Sequence, residues 1–140
     1  MPTRSVFLDT SFVIALVNSD DAHHERAKTL DTELIEDDVQ LLLHWGILLE
    51  IGDGFAGIDQ RKNGAELVDS FLSEDAYSVI PLSSGLILAS LELFKGRQDK
   101  DWGLTDGTSF VLMDQVGITE ALTADHHFVQ AGYRALLLAE

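Results

Sequence analysis

Short apolar runs alternate with longer amphipathic segments along the chain, and this alternation strongly limits the folds open to it. The apolar runs are predicted strands at 5–8, 39–44, 77–82, 120–125 and, as an edge strand, 134–140. The segments between them are predicted helices at 11–18, 20–34, 45–57, 64–75, 84–96 and 105–117. Strands that alternate with helices of this length favour a mostly parallel sheet flanked by helices. The sequence therefore predicts an α/β fold.

The chain is predicted to form one domain over residues 1–140. It has no internal repeat and only two prolines, Pro2 and Pro81, and no linker divides it. The absence of cysteine excludes disulfides, thiolate zinc sites and a cysteine nucleophile. No apolar run approaches the roughly 20 residues of a membrane helix, and the N-terminal run is too short for a signal peptide. We therefore expect a soluble, cytoplasmic protein without a membrane partner.

The net charge of −15, from 24 acidic against 9 basic residues, restricts the ligands of the protein. A field of this sign repels a polyanion such as RNA on average. It attracts metal cations or a basic protein partner. An RNA substrate would therefore require local neutralisation, which bound cations would supply.

Two aspartates follow predicted strands. Asp9 comes directly after strand 5–8 in "VFLDTS", and Asp125 ends strand 120–125 in "ALTADHH". The carboxyl ends of parallel strands meet at one edge of the sheet, where ligands bind in open α/β folds. Each aspartate could instead cap a helix N-terminus, for which Asp is a preferred residue. The occurrence of both favours a shared site.

Further acidic side chains could join this site. Glu50 lies in the apolar segment "ILLEIG", so it should either reach the surface or meet a cation. Asp106 lies in "LTDGTSF", near a helix start with Thr105 as candidate N-cap, where the helix dipole alone could also explain a carboxylate. Asp101, on the preceding loop, could reach the same place. Ser109, one turn after Asp106, is expected to face the same side.

Convergent carboxylates without histidine or thiolate suit a hard cation. Mg²⁺ and Mn²⁺ prefer oxygen ligands, whereas zinc more often recruits His or Cys. Such ions can also serve phosphoryl hydrolysis by activating a water and stabilising charge on the leaving oxygen. We therefore predict Mg²⁺ (or Mn²⁺) as cofactor.

The histidine pairs His23–His24 and His126–His127 are not predicted to chelate a metal. Adjacent residues do not face the same way on a helix, so surface or capping roles are favoured. His126 follows Asp125 directly and could contact a substrate.

Four segments together resemble one protein family. In chain order they are "FLDTSFVIAL", "LLEIGD", "DKDWGLTDGTSF" and "LTADHHFVQAG". This ordered set, which covers nearly the whole chain, resembles the PIN-domain ribonucleases, and most of all the VapC-type toxins of bacterial toxin–antitoxin pairs. The resemblance implies a single compact PIN-like domain and a Mg²⁺- or Mn²⁺-dependent endoribonuclease, a hydrolase of RNA phosphodiester bonds. For a toxin it also implies a homodimer and a basic antitoxin protein that blocks the site.

The resemblance also assigns site residues. The catalytic and metal-binding acids it implies are Asp9, Glu50, Asp106 and Asp125, with Asp101 as a further acid. The small hydroxyl residues it places beside the acids, to orient them or a metal-bound water, are Thr10, Ser11 and Thr123.

Two other functions remain open. A metal-dependent phosphatase with an aspartyl nucleophile would often carry a second aspartate two residues after the first, where this chain has Ser11. A non-catalytic PIN-like binding module would keep the fold and bind a basic partner through its acidic surface.

Overall fold

The computed structural model describes residues 4–138, which form five strands and seven helices. The strands are β1 (Ser5–Leu8), β2 (Gln40–His44), β3 (Tyr77–Ile80), β4 (Glu120–Leu122) and β5 (Arg134–Ala135). The helices are α1 (Thr10–Val17), α2 (His24–Glu36), α3 (Trp45–Gly54), α4 (Arg61–Ser73), α5 (Ser84–Gly96), α6 (Leu104–Val116) and α7 (His126–Gln130). Within the described residues, no helix is both long and apolar enough to cross a membrane.

The strands form one sheet in the order β3-β2-β1-β4-β5, and every pairing is parallel. This confirms the predicted α/β class. The central strand β1 pairs with β2 on one side and with β4 on the other, in register Leu8↔Leu122. The chain fills one half of the sheet before it crosses to the other, so the strand order reverses between β1 and β4. In open α/β sheets the ligand crevice lies outside the carboxyl ends of the strands at such a point.

The central strand is buried on both faces. Val6, Phe7 and Leu8 are at most 1% exposed. Helices cover both faces of a parallel sheet, so its inner strands are continuously apolar rather than alternating. The apolar run 5–8 therefore holds the residue that follows it, Asp9, at a fixed place on the rim of the sheet.

Several predicted bounds need correction. Helix 84–96 is found as predicted, but α2 begins at His24 rather than at residue 20. The carboxylate of Asp21 accepts the backbone N–H of His23 at 2.8 Å and holds the preceding residues in a turn. The predicted edge strand 134–140 is only the two-residue β5, followed by a turn, and residues 139–140 lie outside the described range.

Helix α6 begins earlier than predicted, and α7 is a helix that the sequence pattern missed. The N-cap of α6 is Gly103 rather than Thr105, and the Asp106 carboxylate accepts the Gly103 N–H at 2.9 Å. Helix α7 directly follows Asp125, whose carboxylate accepts the N–H of His127 at 2.9 Å. Five residues are too few for a helical periodicity to be visible in the sequence.

Candidate functional site

The carboxyl ends of β1 and β4 lie side by side and bring two of the predicted acids to one rim. The backbone N–H of Asp9 donates to the carbonyl of Leu122, the last residue of β4, at 3.2 Å. Asp125 follows a short way along the chain, and its backbone N–H donates to the hydroxyl of Thr123 at 3.0 Å. Parallel pairing therefore places Asp9 and Asp125 together, at the point where the strand order reverses.

Two hydroxyl groups hold the Asp9 carboxylate. Ser11 Oγ and Thr123 Oγ1 donate to the same oxygen, Oδ2, at 2.9 and 2.8 Å. Asp9 is 9% exposed and Thr123 is fully buried. Asp9 stands at the N-cap position of α1, but its side chain does not cap the helix. The hydroxyls therefore orient the carboxylate independently of any capping role.

Glu50 reaches the rim from helix α3. The hydroxyl of Thr10, the first residue of α1, donates to Glu50 Oε1 at 2.9 Å. The sequence left open whether Glu50 reaches the protein surface or meets a cation. In the structure its side chain is solvent-accessible at the edge of the site. The Thr10 bond restricts the carboxylate to the side of α3 that faces α1.

The pKa values of Asp9 and Glu50 are both raised above those of ordinary carboxyls. Loss of hydration is the largest cause in each case, since Asp9 is buried and the Glu50 carboxyl is partly covered by its neighbours although its side chain reaches solvent; hydrogen bonds from the neighbouring hydroxyls oppose the rise in pKa. The negative charge of Asp125 further raises the pKa of Asp9. The charges of Asp9 and Asp106 do the same for Glu50. The four acids therefore share one electrostatic environment, and a cation among them would relieve their repulsion.

Asp106, Asp125 and His127 form the tightest part of this environment. His127 Nδ1 lies 3.2 Å from Asp106 Oδ2 and 3.4 Å from Asp125 Oδ1. One ligand atom from each of the three side chains lies within 4.8 Å of the others. Over residues 4–138, these three make the one group of His, Asp or Glu side chains spaced to hold a metal ion. This group contains a histidine that the sequence did not predict as a ligand, and it does not include Asp9 or Glu50, whose part in metal binding stays a prediction.

Three predicted site residues make no hydrogen bond to any of the four acids within residues 4–138. Asp101 is exposed, and in the described chain no hydrogen bond or ion pair joins it to the other acids. Ser109 is buried, and its hydroxyl contacts His44 rather than Asp106. His126 is exposed, and its neighbour His127 is the one that turns toward the carboxylates.

His44, which ends β2, is a further residue near the site that no sequence pattern indicated. Its Nδ1 accepts the backbone N–H groups of Gly46 and Ile47 at 3.0 and 3.3 Å and caps helix α3. Its Nε2 contacts Ser109 Oγ at 2.9 Å. Since Nδ1 is an acceptor, the ring proton lies on Nε2, which donates to Ser109. This bond ties the end of β2 to the first turns of α6, the helix that carries Asp106.

Comparisons with known proteins show the fold. No protein-family model matches the sequence, and no curated protein matches it. Among solved structures, the VapC20 toxin of Mycobacterium tuberculosis, described as sarcin–ricin loop cleaving, superposes with a TM-score of 0.80 at 24% identity. The match covers 91% of this chain and 95% of that one.

Two further solved structures have the same fold as this chain at lower sequence identity. The FitAcB complex of Neisseria gonorrhoeae contains a chain with a TM-score of 0.67 at 19% identity, with 93% of this chain and 94% of that one covered. A chain of VapBC2 from Rickettsia felis, bound to promoter DNA, gives 0.67 at 16% identity, with coverage of 94% and 96%. At such identities the likeness establishes the fold, and the predicted PIN-like fold is confirmed.

Proposed function

We propose that this protein is a metal-dependent endoribonuclease of the PIN-domain family and the toxin of a VapC-type toxin–antitoxin pair. The observation that carries the proposal is the convergence of Asp9, Asp106 and Asp125, with Glu50 beside them, at the point where the strand order reverses. The likeness in fold to a toxin described as cleaving the sarcin–ricin loop supports RNA as the substrate.

The donor set fits a divalent ion. Asp106 and Asp125 offer carboxylate oxygens within reach of one ion, and Asp9 and Glu50 add negative charge beside them. Carboxylate oxygens are the ligands that Mg²⁺ and Mn²⁺ prefer, so we propose one of these ions as the cofactor. When bound, the ion supplies an activated water and neutralises charge on the phosphate.

The chain's own residues orient the reacting groups. Ser11 and Thr123 fix the plane of the Asp9 carboxylate through Oδ2. Thr10 anchors Glu50 through Oε1. Glu50 is exposed on the rim and its pKa is raised, so we assign it the role of accepting a proton from the attacking water.

Three residues of the predicted site receive supporting roles. We propose that Asp101 supports the site from its exposed loop, outside the group of metal-binding atoms. His126, exposed beside Asp125, is proposed to contact the RNA. Ser109 acts at a distance, because its bond to His44 fixes α6 against the sheet.

The acidic surface fits a basic antitoxin. A net charge of −15 would attract a basic segment to the site. A groove of about 660 Å³ between α1 and the α3–α4 region is lined by apolar side chains together with the amides of Asn18, Gln60 and Asn63, and it lies open for such a partner. Its exposed side chains include Ile14 and Val17. The FitAcB and VapBC2 structures are similar in fold to this chain, and we propose an antitoxin partner here as well.

A homodimer is part of the proposal. Leu88 and Phe94 of α5 are 61% and 49% exposed, which leaves apolar surface for a second copy of the chain. Sedimentation of the purified protein tests this, and a monomer at micromolar concentration would contradict it. We also propose a cytoplasmic location, where the protein would meet its proposed RNA substrate.

Replacement of Asp106 by asparagine tests the nuclease proposal. The variant removes a charged ligand but keeps an oxygen that can accept the Gly103 N–H. Cleavage of structured RNA in Mn²⁺ should be lost, while circular dichroism and thermal unfolding show a folded protein. Asp99→Asn is the matched control, because Asp99 is exposed on the same segment and pairs with Arg97 at 3.1 Å. Undiminished cleavage by Asp106→Asn would contradict the proposal.

The purified wild-type protein also tests the two alternative functions, a phosphatase and a non-catalytic binding module. A phosphatase would release phosphate from small phosphoesters and form a phosphoaspartate at Asp9, where Ser11 now donates to the carboxylate. A binding module would cleave no RNA in Mn²⁺ and yet bind a basic peptide tightly. We expect the wild-type protein to cleave RNA and to release no phosphate from small phosphoesters. We expect Asp106→Asn to lose RNA cleavage and Asp99→Asn to keep it.

A further inference from the structure

The ring of His127 lies between two carboxylates of the proposed metal site. Its Nδ1 is 3.2 Å from Asp106 Oδ2 and 3.4 Å from Asp125 Oδ1. The backbone N–H of the same residue donates to Asp125 Oδ1 at 2.9 Å, so the backbone that carries the ring is held beside Asp125 at the start of α7. The side chain is 28% exposed, which leaves a ligand or solvent access to it.

The spacing of these atoms is close to that of ligands around one ion. Two ligands that sit next to each other on an octahedral ion, each about 2.1 Å from it, are roughly 3.0 Å apart. The two observed distances exceed this by a few tenths of an ångström. A small movement of the side chains would therefore accommodate an ion, with Nδ1 as one of its ligands.

We infer that His127 Nδ1 binds the divalent ion directly and makes the site select transition-metal ions such as Mn²⁺ over Mg²⁺. The inference rests on the metal site of the proposed function. Mg²⁺ takes oxygen ligands and keeps several waters, whereas imidazole is a ligand of transition metals. The nitrogen therefore strengthens binding of a transition metal more than binding of Mg²⁺, although the carboxylates serve both.

The alternative is that His127 only bridges the carboxylates through a hydrogen bond. Nδ1 carrying a proton would donate to Asp106 at the observed 3.2 Å, and a bound ion would then leave the ring uncoordinated. The two arrangements differ in one measurable property, which is whether the nitrogen is bonded to the ion.

Pulsed electron paramagnetic resonance of Mn²⁺ added to the full-length protein tests the inference. Echo modulation from directly coordinated ¹⁴N should appear in the wild type and vanish in His127→Gln. The matched control is His126→Gln, since His126 is exposed and adjacent, and its spectrum should keep the modulation. The wild-type spectrum gives the primary result even if a variant folds poorly.

Competition between the ions gives a second readout. In His127→Gln, Mn²⁺ affinity should fall by about 10- to 100-fold, and Mg²⁺ affinity should fall much less. Bound Mn²⁺ without ¹⁴N modulation, or unchanged selectivity in the variant, would overturn the inference and leave the nuclease proposal intact. Absence of Mn²⁺ binding at millimolar concentration would overturn both. Neither readout requires RNA cleavage, so the two failures are distinguishable.

Discussion

The buried imidazole of His44 should make the stability of the fold depend on pH. The residue is 1% exposed, and its Nδ1 accepts two backbone N–H groups at the start of α3. A proton on Nδ1 would face these donors and would have no acceptor. Burial lowers the pKa of His44 from 6.5 to about 4. The native protein therefore requires the neutral ring.

The direction and size of the effect follow from this shift. The unfolded chain takes up the proton near pH 6.5, well before the folded protein does. The stabilising contribution of the neutral His44 is therefore complete above pH 6.5 and declines as the pH falls toward 4. The linkage relation gives a loss of about 2 kcal/mol between pH 7 and pH 5, and of about 3 kcal/mol by pH 4.

Urea unfolding at pH 7, 6 and 5, at constant ionic strength and with a chelator present, measures this loss. The reference proteins are His44→Asn and His44→Gln. Asparagine keeps an acceptor for the α3 backbone, and glutamine keeps a donor toward Ser109, but neither titrates in this range. Both should be less stable than the wild type at pH 7. The wild type should then lose about 2 kcal/mol more than either variant between pH 7 and pH 5.

The wild type and the variants share all other titratable groups, so the contribution of those groups cancels when their changes in unfolding free energy are compared. If the wild type and both variants lose stability in parallel, the neutral buried ring does not control the pH response. A ¹H–¹⁵N spectrum in which the His44 ring titrates near pH 6.5 in the folded protein would refute the reasoning independently.

Further predictions concern a close contact and the support of the site. Gly46→Ala should destabilise the protein by about 1–3 kcal/mol, because its Cβ would lie 2.8 Å from Cε1 of the neighbouring buried histidine ring. Gly52→Ala, in the same helix with nothing within 4 Å of the added Cβ, should stabilise it by about 0.5–1 kcal/mol in thermal unfolding. Thr123→Val removes the hydroxyl that donates to Asp9, and calorimetry should show Mn²⁺ affinity about 10- to 100-fold lower. Thr119→Val, at an exposed position, should leave the Mn²⁺ affinity unchanged.

The sequence was sufficient to predict the parallel sheet and the place of Asp9 at the end of β1, whereas Asp125 lies three residues beyond the end of β4 rather than at a strand end. Buried parallel strands are continuous apolar runs, so β1 and its end at Asp9 are visible from composition and spacing alone. The rule that parallel strands present their carboxyl ends at one edge then brought Asp125 to the same rim. The hydroxyl partners of Asp9 followed from the resemblance to the PIN-domain ribonucleases, in which small hydroxyl residues stand beside the acids.

The roles of the two histidines could not be predicted, because they depend on tertiary contacts. A five-residue helix capped by Asp125 holds the backbone of His127, and from there its ring reaches Asp106. His44 meets Ser109 across 65 positions of sequence, and no local pattern encodes that contact. The i, i+3 spacing placed Ser109 beside Asp106, but packing of α6 against the sheet directs its hydroxyl to His44 instead.

A crystal structure of the protein soaked in Mn²⁺, with anomalous diffraction data, tests the central claim most directly. The claim is that Asp106 of α6 and Asp125, which follows β4, form a metal centre beside Asp9 at the rim of the sheet. We expect an anomalous peak about 2.0–2.3 Å from carboxylate oxygens of Asp106 and Asp125, and no such peak in crystals of Asp106→Asn. A wild-type map without a peak at this rim, or a peak of equal height in the variant, would contradict the account.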